Sequence, residues 1–367
     1  MREGNLDAFE VIKPGLLTTV QDLGRIGYQR YGVPTSGAMD QTALRAANLL
    51  LDNGEGFAGL EATADGPALR ALTDVVVAIV GADMGPLVDG QPVACGTAIR
   101  IRRGKMLEFQ RARRGLRAYL AVAGGIDVPV MLGSRSTCLP AAFGGFQGRA
   151  VRQGDRLPLG FVGHQPQAVS GRRLPSGWLE PIGEVLTVRV VLGLQEDRFT
   201  PDGIRAFLSE LYRFTPQMDR MGARLQGPPI AHRSSADIVS DSTPLGAVQV
   251  AADGQPMILL ADHQTTGGYT KIAVLVQEDV FRLGQAVPGQ IVRFRHISLS
   301  EACAVRKTYH ERFDALRRVW QSRPGVPDRY RLRLGAGSYR VGVEDGSATY
   351  RVSVEGVKRE SDDAEQQ

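Results

Sequence analysis

The segment best suited to chemistry follows an apolar run at residues 258–261. It reads Asp262-His263-Gln264-Thr265-Thr266-Gly267-Gly268-Tyr269-Thr270-Lys271. Asp262 could orient or deprotonate a urea-like or lactam-like nitrogen. The ammonium group of Lys271 could stabilise a developing oxyanion. The candidate catalytic residues are Asp262, Gln264 and Lys271, and the candidate binding residues are Thr265, Thr266 and Tyr269. Structural segments seldom concentrate so many donors and acceptors, so we interpret this one as a site, with a scaffold role as the alternative.

Two arginines precede this segment at residues 219–225, with the sequence DRMGARL. Arg220 and Arg224 are candidate binding residues because a guanidinium group recognises carboxylates and carbonyls through several donors at once. Polar residues also occur at Ser240, Asp241 and Gln249. We group all of these with the segment at 262–271.

A second candidate site lies near the start of the chain, in two glycine-punctuated segments. They are TTVQDLGR at residues 18–25 and GVPTSGAMD at residues 32–40. Polar side chains on such turns, next to a helix N-terminus, could hold a small polar ligand. Turn and cap roles alone are an equally good interpretation. The candidate binding residues are Gln21, Asp22, Arg25, Ser36 and Asp40. We expect these turns to share one cavity with the segment that follows residues 258–261.

Glycine-rich stretches at residues 123–127 and 144–149 form a third candidate. Successive glycines can turn backbone N–H groups toward a bound anion. Plain tight turns explain the glycines at least as well. Other nucleotide and hydrolase motifs are missing from the sequence: we find no GxxxxGK[ST], GxGxxG, GxSxG or HExxH. The five histidines lack the spacing of metal ligands, so no metal site is expected.

The composition is that of a folded protein with about two domains. The 367 residues are 43% hydrophobic and 23% charged, with a net charge of +5 carried mainly by arginine. Residues 100–117 are the most basic stretch, which we interpret as a solvated hairpin, with a docking surface for an acidic partner or an anionic substrate as the alternative. Three cysteines without paired spacing fit a reducing compartment. No apolar run is long enough for a membrane span or a signal peptide, so we expect a cytoplasmic protein.

Short strands bounded by Gly, Pro and Asp dominate the pattern and predict a mostly antiparallel β fold, as a barrel or a sandwich. Three helices are predicted, starting at an Asp40 cap, at Thr200-Pro201, and at a Ser298–Glu301 capping box. A hairpin is predicted to turn at Asp345-Gly346. Residues 160–176 are the expected linker. The predicted units are an N-terminal β domain at 5–165, a second β domain at 182–300, and a helix-plus-hairpin extension at 301–356.

Several motifs in the right order resemble the biotin-dependent carboxyltransferase family, also called allophanate hydrolase subunit 2 or urea amidolyase-related. They are GLLTTVQDLGR at 15–25, GVPTSGAMD at 32–40, AYLAVAGGID at 118–127, LGSRST at 132–137 and QTTGGY at 264–269. The resemblance runs from about residue 9 to residue 300. The sequence departs from the usual motifs at Leu194, Met218, Ala251 and His263, and the last of these touches the candidate site.

The resemblance implies two cyclophilin-like β-barrel domains and a partner, a second and shorter cyclophilin-like subunit. Family members include the carboxyltransferase part of urea carboxylase, the C subunit of the ATP-dependent 5-oxoprolinase, and regulators of a kinase inhibitor. No lysine lies in a hairpin tip suited to biotinylation, so any biotin must come from a partner chain. We therefore expect a 5-oxoprolinase C subunit that works in an ATP-using complex, with a LamB/YcsF-type subunit as a further partner. A urea carboxyltransferase and a regulatory binding protein are the alternatives.

Overall fold

The computed structural model describes residues 6–161, 166–179, 183–193, 195–321, 328–334, 337–346 and 349–357. The chain is mainly β with few helices, which confirms the predicted fold class. Within the described ranges, no helix is long and apolar enough to cross a membrane.

The first half of the chain forms two β-sheets. Its strands are β1 (Asp7–Lys13), β2 (Leu17–Gln21), β3 (Gly59–Thr63), β4 (Ala68–Ala71), β5 (Val75–Asp83), β6 (Leu87–Val88), β7 (Gln91–Pro92), β8 (Ala98–Ile101), β9 (Met106–Glu108), β10 (Arg114–Val122) and β11 (Arg156–Pro158). One sheet has the order β11-β1-β4-β9-β6-β7, and the other β2-β3-β10-β5-β8. Apolar side chains from both sheets, such as Phe9, Leu69, Leu60 and Leu120, form one core between them.

Strand β10 presents different chemistry on its two faces. Ala118 and Leu120 point into the core between the sheets, while Tyr119 and Ala121 belong to a second apolar cluster on the outer face. This is the two-residue period of a β-strand. Helix α1 (Gln41–Leu50) covers part of that outer face with Ala43, Leu44, Ala47 and Leu50, all fully buried. Asp40 caps this helix as predicted, since Oδ1 accepts a hydrogen bond from the Ala43 amide at 3.0 Å.

The second half of the chain forms a closed barrel. Its strands are β12 (Val185–Leu192), β13 (Tyr212–Met218), β14 (Gly222–Gln226), β15 (Asp237–Ser242), β16 (Ala247–Val250), β17 (Pro256–Leu259), β18 (Thr266–Leu275) and β19 (Ile291–His296). The sheet order is β12-β19-β13-β14-β17-β16-β18-β15, and β12 also pairs with β18, which closes the ring. Strands β12 and β19 are parallel, so the second half is not purely antiparallel.

Three further α-helices lie within the described ranges. Helix α2 (Pro201–Ser209) is capped by Thr200, and α4 (Leu299–Gln321) opens with the predicted capping box, in which Ser298 and Glu301 exchange hydrogen bonds. The sequence predicts that Val305, Tyr309, Phe313 and Leu316 form one apolar stripe of α4; the last three are buried, and Val305 is half-buried. Helix α3 (Gln277–Leu283) is not predicted by the sequence pattern, because its N-cap residue is Val276, which makes no side-chain cap. The helical pattern also predicts Leu211 to face inward, but this residue is 43% exposed, since α2 ends before it.

The C-terminal extension contains a three-stranded antiparallel sheet. Its strands are β20 (Asp328–Leu334), β21 (Gly337–Gly346) and β22 (Thr349–Val357). The predicted hairpin is present, with Val341 opposite Val354 and Val343 opposite Val352. The predicted turn position is wrong, because Asp345 and Gly346 are still paired, with Tyr350 and Thr349. The chain therefore reverses only after residue 346.

Two loop predictions also need refinement. The predicted linker at 160–176 lies partly outside the described residues, and the rest docks on the first half: the Arg172 carbonyl accepts from the Ala98 amide, and the Leu174 amide donates to the Gly96 carbonyl. The basic stretch at 100–117 is not one surface. It runs through β8, β9 and β10, and its last arginine, Arg117, is 3% exposed and faces the second half of the chain.

Candidate functional site

A polar face on the second sheet meets the barrel of the second half. Glu61 on β3 lies directly opposite Tyr119 on β10 and Thr19 on β2, so these three residues share one face. Arg117, two residues before Tyr119, lies on the same face. The intervening residues Leu60, Ala62 and Ala118 point into the core on the opposite face. The strand period therefore places a buried carboxylate, phenol and guanidinium where the two halves meet.

Arg220 crosses from the barrel to this face and binds both halves. Its Nη1 donates to Glu61 Oε1 at 2.5 Å, and its Nη2 donates to the Gly37 carbonyl at 2.7 Å. It also pairs with Asp262 through Nε at 2.8 Å and Nη2 at 3.1 Å. Arg220 is 4% exposed, and both carboxylates are 1% exposed. We call Glu61, Arg117, Tyr119, Arg220 and Asp262 the polar junction.

Charges in the polar junction compensate each other. Burial alone would raise the pKa of Glu61, but the guanidinium groups of Arg220 and Arg117 lower it below its ordinary value. Burial likewise opposes the charge on Arg220, yet Glu61 and Asp262 raise its pKa. Tyr119 is neutral: burial raises its pKa, and its hydroxyl donates to Glu61 Oε2 at 2.8 Å. The junction is thus an ion cluster in which each carboxylate depends on Arg220.

Gln285 ties the helix cap to the same junction. Its amide nitrogen donates to Asp40 Oδ2 at 2.8 Å and to the Arg117 carbonyl at 2.9 Å, while its oxygen accepts from the Arg117 amide. Burial raises the pKa of Asp40 to about 6, and the nearby charge of Glu61 adds to this, although hydrogen bonds from Gln285 and Ala43 oppose it. Asp40 therefore changes its charge within the mildly acidic range.

We expect a pH-dependent contribution of Asp40 to stability. Its pKa is higher in the folded chain than the 3.8 of an ordinary aspartate, so the folded state binds the proton more tightly. The stabilising contribution of protonated Asp40 is present at pH 4. The free energy of unfolding then decreases by about 3 kcal/mol as the pH rises to about 6. The variant Asp40→Asn should lack this slope. Denaturant titrations of both proteins between pH 4 and pH 7 would reveal it, and parallel curves would refute the assignment.

The N-terminal turns lie against the end of strand β17. Gly24 and Gly37 have φ of +92° and +90°, and a Cβ on Gly37 would lie 2.8 Å from the Gly24 nitrogen, so the two turns touch backbone to backbone. The Ser36 amide donates to the Ala261 carbonyl at 3.0 Å. A cavity of about 340 Å³ lies at this contact, and Ser36, Met39, Leu260 and Ala261 are among the residues that line it. The turns therefore share a concavity with the end of the 258–261 run, whereas Gln264 of the polar segment lines a different cavity, together with Asp219 and Arg224.

Asp22 has a structural position within these turns. Its Oδ1 accepts from Ser134 Oγ at 2.7 Å and from Ser136 Oγ at 2.5 Å, and its Oδ2 accepts from the Arg135 amide. These hydrogen bonds join the first turn to the LGSRST segment at 132–137. The carboxylate is therefore occupied within the chain. Gln21, Arg25 and Ser36 are also buried here, at 0%, 0% and 2% exposure.

Lys271 and Gln264 belong to a neighbouring group of polar residues. The sequence predicts a strand starting at Lys271, but β18 starts at Thr266, so the polar segment lies mostly on a strand. Lys271 is fully buried, and its Nζ lies 3.1 Å from Asp241 Oδ2. Gln249 lies opposite Lys271, and the Gln264 amide reaches Gln249 at 3.5 Å. We call Gln195, Asp241, Gln249, Gln264 and Lys271 the lysine cluster, since Gln195 bonds to both Lys271 and Asp241.

The remaining predicted residues lie further out. Thr266 and Tyr269 are exposed, and Arg224 forms an exposed salt bridge with Asp253. Thr265 is half-buried next to Gln264. Of the four motif departures, His263 lies in the site: it is 1% exposed, and burial lowers its pKa, so its imidazole is neutral. Leu194 lies outside the described residues.

The glycine-rich stretch at 123–127 does not form an anion-binding nest. The Gly124 amide donates to Asn53 Oδ1, and the amides of Gly125, Ile126 and Asp127 donate to backbone carbonyls. Amides already bonded within the chain cannot cradle an anion. The stretch at 144–149 is built from close turns, since a Cβ on Gly145 would lie 1.8 Å from Thr137 Oγ1. The interpretation as tight turns is therefore correct for 123–127, and the close contacts at 144–149 agree with it.

Sequence reasoning missed Glu61, Arg117, Tyr119 and Gln285. Glu61, Arg117 and Gln285 lie outside the motifs that carry the resemblance, and Tyr119 lies inside AYLAVAGGID at 118–127, where its flanking residues are apolar. One signal was available for Glu61: a carboxylate sits in the apolar run of β3, where an unpaired charge would be costly. Its side-chain partners Arg117, Tyr119 and Arg220 come from 56 to 159 positions away, which no local pattern reveals.

Comparison with known proteins identifies the family. The family described as "Carboxyltransferase domain, subdomain A and B" matches residues 31–296. The chain belongs to this carboxyltransferase family. It is 36% identical to the C subunit of 5-oxoprolinase from Escherichia coli over 310 residues, which cover 84% of this chain and 97% of that protein.

Solved structures give the same family. The urea amidolyase of Kluyveromyces lactis is similar with a TM-score of 0.79 at 28% identity, covering 93% of this chain and 22% of that one. The protein TTHA0988 is similar with a TM-score of 0.72 at 37% identity, covering 80% of this chain and 56% of that one. This carboxyltransferase chain therefore spans from a fifth to just over half of these solved chains.

Proposed function

We propose that this carboxyltransferase-family chain is the C subunit of an ATP-dependent 5-oxoprolinase, a complex that opens 5-oxoproline to glutamate. The observation that carries the proposal is the extent of the similarity to the Escherichia coli protein, 97% of which is covered. Urea amidolyase is matched over only 22% of its chain. The similarity thus extends over nearly all of a separate subunit, but over about a fifth of the fused enzyme.

The chemistry requires a site that binds a lactam and stabilises charge. Water adds to the ring carbonyl, the C–N bond breaks, and the ring nitrogen takes up a proton. The ammonium of Lys271 suits the oxyanion that forms at the carbonyl, because a buried cation is effective in a site that excludes water. Both oxygens of Asp262 are paired with Arg220. We therefore propose that Asp262 positions Arg220 instead of acting as a base, a change from its predicted role.

We propose that this chain itself holds neither ATP nor covalent biotin. The amides of the glycine-rich turn at 124–127 are bonded within the chain, so this turn does not offer a phosphate site. Lys105 lies in a turn between β8 and β9, which belong to different sheets, and it pairs with Asp89. Lys271 is buried, Lys13 pairs with Asp65, and Lys307 lies within helix α4, where it pairs with Glu311. We propose that ATP is bound by a companion subunit, and that any biotin would be brought by another chain.

The proposed complex includes at least two companions. One is the second, shorter cyclophilin-like subunit that the family resemblance implies, and the other is a LamB/YcsF-type subunit. We further propose that residues 5–165 and 182–300 are two cyclophilin-like domains with an extension at 301–356. Support comes from the sheets, none of which, among the described strands, combines strands from two of these ranges.

A urea carboxyltransferase is the second candidate. The observation in its favour is the similarity to the Kluyveromyces lactis urea amidolyase over 93% of this chain. Such an enzyme would need carboxylated biotin from another chain, and urea or a related amide as acceptor. A regulatory role remains only as an expectation from the resemblance.

Reconstitution of the complex separates these functions. The chain is co-expressed with its companion subunits, and glutamate is measured with 5-oxoproline and ATP. We expect ATP-dependent glutamate formation that stops when this chain is omitted. In a parallel assay, urea, bicarbonate, ATP and a biotin carboxylase with its biotin carrier replace 5-oxoproline. Carboxylated urea without any glutamate in the first assay would reject the oxoprolinase proposal in favour of the second candidate.

A further inference from the structure

Arg25 is a buried cation that the chain itself leaves almost unpaired. It is fully buried, and its guanidinium makes one hydrogen bond, from Nη2 to the Ser136 carbonyl at 2.5 Å. The ring of Phe143 lies 4.5 Å from the guanidinium carbon. Nε and Nη1 lack a hydrogen-bond partner among the residues that the structure describes. Burial lowers the pKa of Arg25, and the neighbouring Cys138, Asp22 and Asp262 offset part of this effect.

The neighbouring carboxylates are not direct partners of Arg25. Asp22 is saturated by hydrogen bonds from the 134–136 segment and from Gly24, and Asp262 is paired with Arg220. An isolated buried guanidinium group costs several kcal/mol. A bound anion would offset this cost by forming an ion pair with the guanidinium group. Arg25 is therefore a candidate anion receptor.

Three buried side-chain atoms on segments near Arg25 in the fold also lack partners within the described ranges: Gln21 Oε1, Ser36 Oγ and His263 Nε2. These residues lie on segments bonded to one another. Gln21 donates to the Thr137 carbonyl, next to the Ser136 carbonyl that Arg25 binds, and the Ser36 amide donates to Ala261. Ser36 has φ of 54°, an uncommon backbone conformation for a residue other than glycine. Such strain is typical of functional sites.

We propose that Arg25 binds the carboxylate of the lactam substrate, and that Gln21 Oε1 accepts the hydrogen bond of the adjacent ring N–H. The inference rests on the proposed function. In 5-oxoproline the carboxylate and the N–H are on neighbouring ring atoms. Arg25 and Gln21 bind the carbonyls of the consecutive residues Ser136 and Thr137, so a cation and an amide oxygen on these side chains suit the two groups of the substrate. Urea carries neither a carboxylate nor a charge. Arg25 is thus the residue that distinguishes 5-oxoproline from neutral amides.

The test compares two lactams in the reconstituted complex. One is 5-oxoproline, and the other is 2-pyrrolidinone, which has the same ring without the carboxylate. For Arg25→Met, kcat/KM with 5-oxoproline should fall roughly 100-fold, while that with 2-pyrrolidinone should change less than about threefold. For Arg25→Lys, kcat/KM with 5-oxoproline should lie between the values for the wild type and Arg25→Met, because lysine keeps the charge but lacks the planar guanidinium group. Arg70→Met, which removes an exposed arginine paired with Glu10, serves as the matched control.

Other outcomes overturn the proposal. Equal losses with both lactams would mean that Arg25 acts structurally or binds another carboxylate, such as one carried on biotin. If Arg25→Met leaves kcat/KM unchanged with both lactams, Arg25 does not bind the substrate. If the wild-type complex does not hydrolyse 5-oxoproline, the proposed function fails. The role of Arg25 in carboxylate binding is then tested by measuring ligand binding instead of turnover. Thermal stabilisation of the complex by 5-oxoproline, but not by 2-pyrrolidinone, should then be lost in Arg25→Met; stabilisation equal in both proteins, or absent, would contradict it.

The variant itself should fold. Replacing an unpaired buried cation by an apolar side chain of similar length is often neutral or stabilising. The melting temperature of Arg25→Met should therefore be no lower than that of the wild type. A large decrease would identify Arg25 as a structural ion and would also contradict the proposal.

Discussion

Replacing Arg220 with alanine is expected to destabilise the chain by about 3–5 kcal/mol. Arg220 pairs with Glu61 from one half of the molecule and with Asp262 from the other, and all three are nearly inaccessible to solvent. The substitution leaves two buried carboxylates without that cation. Urea denaturation of the full chain measures the loss as the change in the free energy of unfolding. The loss should shrink at acidic pH, because protonated carboxylates no longer need a counter-charge.

Arg224→Ala is the matched control. Arg224 lies four residues further along the same chain segment and forms a salt bridge with Asp253, in which both side chains are more than 40% exposed. Exposed ion pairs contribute about 0–1 kcal/mol. A similar loss for the two variants, or a loss below about 1 kcal/mol for Arg220→Ala, would mean that the polar junction does not hold the two halves together.

Replacing Lys271 with methionine is expected to lower turnover of 5-oxoproline by the complex roughly 100- to 1000-fold. Lys271 is the fully buried ammonium of the lysine cluster, and its partner Asp241 is 49% exposed. After the substitution Asp241 is solvated by water, so the fold should tolerate the change. The assay measures kcat for glutamate formation, with melting temperature measured on the same sample.

Lys13→Met controls for the loss of a lysine. Lys13 pairs with Asp65 on the surface, and its side chain is 58% exposed. The complex with Lys13→Met should have the same kcat for glutamate formation as the wild-type complex. If Lys271→Met also retains turnover within about threefold of the wild type while folded, Lys271 has no part in stabilising the oxyanion.

Local patterns are sufficient to predict the elements with strong local signals. The starts of α1, α2 and α4 are predictable because Asp40, Thr200 and the Ser298–Glu301 pair form side-chain caps, which are visible in sequence. Helix α3 lacks such a cap and has only seven residues, so the pattern does not reveal it. The parallel pairing of β12 with β19 joins residues more than 100 positions apart, and no local periodicity encodes it.

The candidate site is only partly accessible to sequence reasoning. Motif residues such as Arg25, Ser36 and Asp262 are found, because polar residues on glycine-punctuated turns are conspicuous. Their partners are not. Glu61 takes part in the site only because strand alternation turns it away from the core and toward Arg220. The proposed role of Asp262 also differs from the predicted one, since a carboxylate with both oxygens on one guanidinium is a positioning group. Such pairings are fixed by the tertiary fold.

A crystal structure of the reconstituted complex with 5-oxoproline bound is the most direct test of where catalysis occurs. We predict ligand density between the N-terminal turns and the start of β18, within hydrogen-bond distance of Arg25 or of a residue of the polar junction or the lysine cluster. Density at a site that involves none of these residues would contradict the assignment of this region as the functional site.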